Sequence, residues 1–242
     1  AALTFNAPAV MKDTENIKGD FIYQSTFNLE KNSQWKGHLK KYRYDPKNQT
    51  ITDIEEWDAA LKLNKKSASS RNLWTVGLGV SSLNNFTTDN RERLKSLLFP
   101  GLSKTDAEAD KLINFIRGTD TYDSDGKIPG NTTESRHKLA DIYHANINIV
   151  GAVEGLAEAN DGTANYDKKD SYYNASNGYD NFKKGNSCGT SCESRTEVVL
   201  AGANSGIFHA FKAEDGEELW GYIPPNIIGK LSTMVTSKAN AS

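Results

Sequence analysis

The chain has 242 residues, enough for one large domain, of which 37% are hydrophobic and 25% charged. That hydrophobic fraction is low for a compact globule, so long polar surface loops are expected. Lys plus Arg number 29 against 31 Asp plus Glu, a formal charge of -2, which leaves no basic footprint and argues against nucleic-acid binding. No apolar run approaches the ~20 residues of a membrane-spanning helix, and residues 1–10 lack the basic head and apolar stretch of a signal peptide.

In chain order, Phe21, Tyr23, Phe27 and Leu29 interleave with polar residues and predict a strand. Trp35–Leu39 and Tyr42–Tyr44 predict a second, followed by a turn at residues 45–48. Ile51–Ile54 leads into a short predicted helix over Glu55–Leu61, with Trp57 and Leu61 one turn apart. Asn90 stands to cap a helix over Arg91–Phe99 that Pro100 and Gly101 close. Ser103 and Asp106 have capping-box spacing; Ala109, Leu112, Ile113 and Ile116 then share one helical stripe, and Gly118 supplies the stop. That stripe reads as core packing.

From Leu139 the pattern turns to β, with Ile147, Ile149 and Val150 as a short β-branched run. Residues 154–195 are rich in Asn, Asp, Gly, Ser and Tyr and read as one long surface excursion. Val198–Ala203, Ile207–Phe211 and Glu218–Tyr222, separated by Gly-containing turns, predict a meander of the kind that makes a propeller blade.

Three groups of residues carry candidate chemistry. Cys188 and Cys192 lie in Cys-Gly-Thr-Ser-Cys inside the polar excursion. A thioredoxin-like site wants two intervening residues and a zinc site two further ligands, so the pair reads as a structural disulfide formed in an oxidising compartment. So small a ring contributes at most about 2 kcal/mol and would staple the loop only. Asp120, Asp123 and Asp125 alternate before Gly126 as carboxylates do in a calcium loop, although position twelve falls on Thr132; the competing reading is a solvated acidic turn. Tyr166, Tyr172, Tyr173, Tyr179 and Phe182 are spaced among Asn and Gly, a composition that suits binding of glycans or proteins or, alternatively, a flexible insertion with incidental aromatics. The histidines His38, His137, His144 and His209 have no carboxylate or nucleophile at motif spacing, and alternation with Ile207 and Phe211 makes His209 a packing residue.

Ala210-x5-Gly216-x3-Trp220 sets a tryptophan four residues after a turn glycine, where one rigid ring can fill a wedge between sheets. It resembles the tryptophan-docking repeat of quinoprotein-type β-propellers, with Lys212 in place of its usual Asp and Asp215 in place of Thr. Together with His137–His144 upstream, the run from Val198 to Pro225 resembles the PilC/PilY family of type IV pilus-tip adhesins and biogenesis factors, as do Trp35–Leu39, Trp57–Leu61 and Phe115–Asp120. The resemblance implies a mainly β, α+β fold: a β/helical lead-in over residues 1–135, then the first blade or blades of a modified quinoprotein-like propeller over 136–242. It implies export to the pilus tip, cell surface or outer membrane, pilin or minor pilin subunits and a host-cell receptor or glycan as partners, and a calcium site. It implies no enzyme and no organic cofactor. The alternative is a quinoprotein-like periplasmic oxidoreductase, but those enzymes stack their cofactor on adjacent cysteines, and Cys188 and Cys192 are separated.

Overall fold

The computed structural model describes residues 2–4, 9–11, 20–28, 35–45, 47–48, 50–123, 132–143, 145–151 and 196–236. The chain divides into two units, Ala1–Ile149 with Val199–Ser242, and Val150–Val198. In the second, the described residues are Val150, Gly151 and 196–198. The described fold is mixed α/β, mostly sheet with a few short helices. No described helix is long and apolar enough to cross a membrane.

The first sheet is antiparallel. It contains β1 (Ala2–Thr4), β2 (Ala9–Met11), β3 (Asp20–Asn28), β4 (Lys36–Asp45) and β5 (Thr50–Asp58), ordered β1-β3-β4-β5 with β2 also on β3. The alternation predicted from Phe21 onward places Tyr23, Ser25 and Phe27 on one face, opposite Lys41, Leu39 and Gly37 of β4.

The helix predicted over Glu55–Leu61 is corrected. β5 continues through Asp58, and the helix, α1, spans Ala59–Lys65. Cross-strand chemistry decides this: Lys41 opposes Trp57, Lys40 meets Glu55 at 2.6 Å, and Arg43 pairs with Glu56. Asp58 then ends the strand and caps the helix, accepting from the Ala60 N–H at 2.8 Å. Trp57 is buried and Leu61 is 52% exposed, so the expected one-turn pair does not form.

The helical section follows the predicted stripe with different caps. α2 spans Arg91–Leu98, and Asn90 occupies its N-cap position without a side-chain capping bond, donating instead to the Asn85 carbonyl at 2.9 Å. α3 spans Asp106–Arg117, and its capping box is Thr105 with Glu108 rather than Ser103 with Asp106. Lys104 and the Thr105 N–H and hydroxyl hold the Glu108 carboxyl down at about 2. Ala109, Leu112, Ile113 and Ile116 are all buried, and Gly118 ends the helix at φ +118°.

The second sheet has the order β6-β10-β9-β8-β7, from β6 (Leu73–Trp74), β7 (Asn148–Val150), β8 (Val198–Gly202), β9 (Phe208–Lys212) and β10 (Glu218–Tyr222). The predicted meander is therefore present as β8, β9 and β10, extended by β6, which runs parallel to β10. Two short helices follow, α4 (Pro225–Ile228) and α5 (Thr233–Thr236).

Two apolar clusters hold these layers. Leu73, Phe86, Leu94, Leu98, Ile113 and Ile116 join α2 and α3 to β6. Tyr23, Leu39, Trp57, Leu63, Leu139 and Phe211 join the first sheet, α1 and β9. Each such side chain contributes roughly 1.5–3 kcal/mol by burial. The segment 136–140 crosses the start of β4 so closely that Gly37 is required. Its N–H donates to the Leu139 carbonyl at 2.9 Å, and a Cβ there would stand 2.0 Å from the Ala140 oxygen.

Candidate functional site

The hairpin of β9 and β10 has two chemically different faces. Glu218 opposes Phe211 and Gly221 opposes His209 on the inner face; a bulge between Glu218 and Trp220 then puts Trp220 opposite Ala210 and Tyr222 opposite Phe208 on the outer face.

The inner face is ionic and sealed. Arg71 forks onto Glu218 with bonds of 2.8 and 2.7 Å, and both side chains are fully buried. Arg71 also donates to the Arg117 carbonyl at 2.9 Å, and Arg136 donates to the Phe115 carbonyl at 2.8 Å. Two guanidinium groups thus reach C-terminal carbonyls of α3, the negative end of its dipole, the Phe115 carbonyl accepting also from the Gly118 N–H. Arg117 turns its own guanidinium to the carbonyls of Ala68, Ser69, Arg71 and Phe86.

Burial would raise the Glu218 carboxyl, but Arg71, with its charge and hydrogen bonds, and His209 together hold it far below the usual carboxylate range. Burial pushes the His209 imidazole below its ordinary value against the pull of Glu218. Its Nδ1 donates to Glu218 at 2.8 Å, leaving Nε2 buried without a hydrogen-bond partner. Burial first, and Arg71 next, bring Arg136 down to about 9 and Lys138 to about 8. The side chains of Arg71, His209 and Glu218 in this core are fully buried.

The hairpin turn is gripped by the first sheet. The Ala213 carbonyl accepts from the Trp57 indole N–H at 3.1 Å and from Lys41 Nζ at 2.7 Å. Gly216, at φ +77°, lies against the indole: a Cβ there would be 2.8 Å from Trp57 ring atoms. The sequence motif pairs Gly216 with Trp220, whereas the indole packed on this glycine is that of Trp57.

Trp220 occupies the outer face. It meets Trp74 edge-on at 6.4 Å and Phe208 at 6.3 Å, while Trp74 packs on Tyr222 at 4.6 Å. All four rings are half-buried. Trp74 was missed from sequence because a two-residue strand has no periodicity to read.

Of the acidic residues, Asp120 is fully buried with its charge acting on Arg136, and Asp123 sits in the following turn at φ +51°. Among the described residues no group of three His, Cys, Asp or Glu is placed to hold a metal. Asp125 lies outside the described residues, as do Cys188, Cys192, Tyr166, Tyr172, Tyr173, Tyr179, Phe182 and His144.

The account of the turn predicts a graded response at Trp57. Trp57→Phe keeps the ring and loses the bond to Ala213, at a cost of about 1 kcal/mol; Trp57→Ala costs about 3–5 kcal/mol. Urea denaturation measures both, and a cost near zero for Trp57→Ala would contradict the docking.

No family model and no solved structure matches the chain. Curated relatives do. The chain is 27% identical over 220 residues to the type IV pilus biogenesis factor PilY1 of Pseudomonas aeruginosa strain UCBPP-PA14, covering 88% of this chain and 17% of that protein. It is 25% identical over 226 residues to PilY1 of P. aeruginosa PAO1, covering 90% and 17%. A PilY1 homolog of Xylella fastidiosa Temecula1 is 26% identical over 213 residues, covering 88% and 14%. The chain thus spans about a sixth of the length of these relatives. With agreement running over nearly all of its own length, the chain is related to the PilY1 family of type IV pilus biogenesis factors.

Proposed function

We propose that this chain is part of a type IV pilus biogenesis factor that acts by surface contact and without catalysis, as a tip adhesin, an assembly factor or both. The observation that carries the reading is the sequence relationship to PilY1 over 88–90% of the chain. The described geometry suits a contact role: its titratable cluster is sealed inside, and its outer sheet face is aromatic.

In this reading β7–β10 form one blade of a modified propeller, and residues 1–135 lead into it and add β6 at its edge. The outer rings of Trp220, Trp74, Phe208 and Tyr222 are covered by a neighbouring sheet of the longer protein, as the grip of Trp57 on Gly216 already covers the hairpin turn. Surface loops are proposed to make the contacts with pilin or minor pilin subunits and with a receptor or glycan at the cell surface, foremost the polar segment that carries Tyr166, Tyr172, Tyr173, Tyr179 and Phe182 and, beyond them, the small ring expected of Cys188 and Cys192. An oxidoreductase of the quinoprotein type would instead bind quinone stoichiometrically in the full-length protein.

A strain deleted for the full-length gene is expected to lose surface pili and attachment, both restored by the intact gene. Normal piliation together with normal attachment would contradict the proposal.

The acidic segment after α3 is proposed to take calcium through Asp123 and Asp125, Asp120 being directed to Arg136. Calorimetry on the chain is expected to show binding heat that Asp123→Ala removes; no heat at millimolar calcium would contradict it.

A further inference from the structure

His137 sits where the segment 136–140 meets the start of β4 and the end of α1. Its Nε2 is 2.9 Å from the Gly37 carbonyl, which can only accept, so Nε2 carries the proton. Its Nδ1 is 2.9 Å from the Asn64 side-chain nitrogen. The orientation of that amide is fixed independently: Asn64 Oδ1 accepts from the Lys138 N–H at 3.0 Å, which leaves the NH2 facing the imidazole. Nδ1 therefore accepts. An imidazole that donates at one nitrogen and accepts at the other is neutral, and a second proton would set N–H against N–H.

The surroundings oppose that proton as well. β4 presents His38, its ring 5.5 Å away, and Lys36; the segment itself carries Arg136 and Lys138; α1 contributes the uncharged Asn64. Asp58, at the end of β5, is directed to His38 at 2.6 Å and to the cap of α1. Burial pushes the His137 imidazole below its ordinary 6.5, and His38, Lys36 and Arg136 add to it against the Gly37 bond.

We propose that His137 is an acid-sensitive latch: neutral, it fastens segment 136–140 to β4 and α1, and protonation releases the segment. The sign follows from proton counts. With the folded value below the unfolded one, the unfolded chain binds more protons as pH falls through the ordinary histidine range. The latch is at full strength above about pH 7 and weakens as pH drops below that range.

Nitrogen-detected NMR on the full chain reads the tautomer directly, and hydrogen exchange at Gly37, whose N–H bonds to Leu139, reads the seam. The expected result is the Nε2–H tautomer at neutral pH, with Gly37 protection lost on acidification in the wild type and independent of pH in His137→Gln. The glutamine keeps a donor for the Gly37 carbonyl and cannot ionise. An Nδ1–H tautomer, or a wild-type and variant Gly37 that lose protection alike, would overturn the proposal. The tautomer measurement stands even if the variant fails to fold.

Discussion

One guanidinium, that of Arg71, joins three parts of this structure that lie far apart in sequence. It forks onto Glu218 of β10 and reaches the last carbonyls of α3, so a helix end, a strand and the loop before β6 share one charged group with no exposure to water. Desolvating such a pair costs several kcal/mol per ion, and its net stabilisation is small. What it supplies is position. Glu218 can meet Arg71 only with its side chain inward, and the bulge that follows is what turns Trp220 outward. His209 reinforces the same choice by bonding to the same carboxylate.

The two faces of the hairpin are thus one decision. An ionic inner face locked against α3 leaves the aromatic residues on the other side, where Phe208, Trp220, Tyr222 and Trp74 form a continuous surface. At the turn, Trp57 and Lys41 from the first sheet hold the Ala213 carbonyl, and Gly216 has no side chain because an indole occupies that space. The first sheet thereby fixes the turn of the second.

Local rules made part of this legible. The stripe from Ala109 to Ile116 and the stop at Gly118 are periodicity and backbone freedom, and both survive in the fold. The strands β8 to β10 are separated by turns that need glycine at Gly206 and Gly216, each with positive φ. The failures have equally local causes. Glu55, Glu56 and Ala59 are good helix formers, but β4 offers cross-strand partners that extend the strand to Asp58. Ser103 and Thr105 are both hydroxyl caps, and only Thr105 has a glutamate three residues on. Arg71 and Glu218 are separated by 147 positions, and His38 meets Asp58 through strand register, so no spacing rule could have paired them.

The measurement that bears most directly on this account is a double-mutant cycle on Arg71→Met and Glu218→Gln, read by urea denaturation. Either single substitution strands a buried partner and is expected to cost about 3–5 kcal/mol, while the double variant costs far less than their sum. Two small losses that simply add would mean that the ion pair does not position β10 against α3.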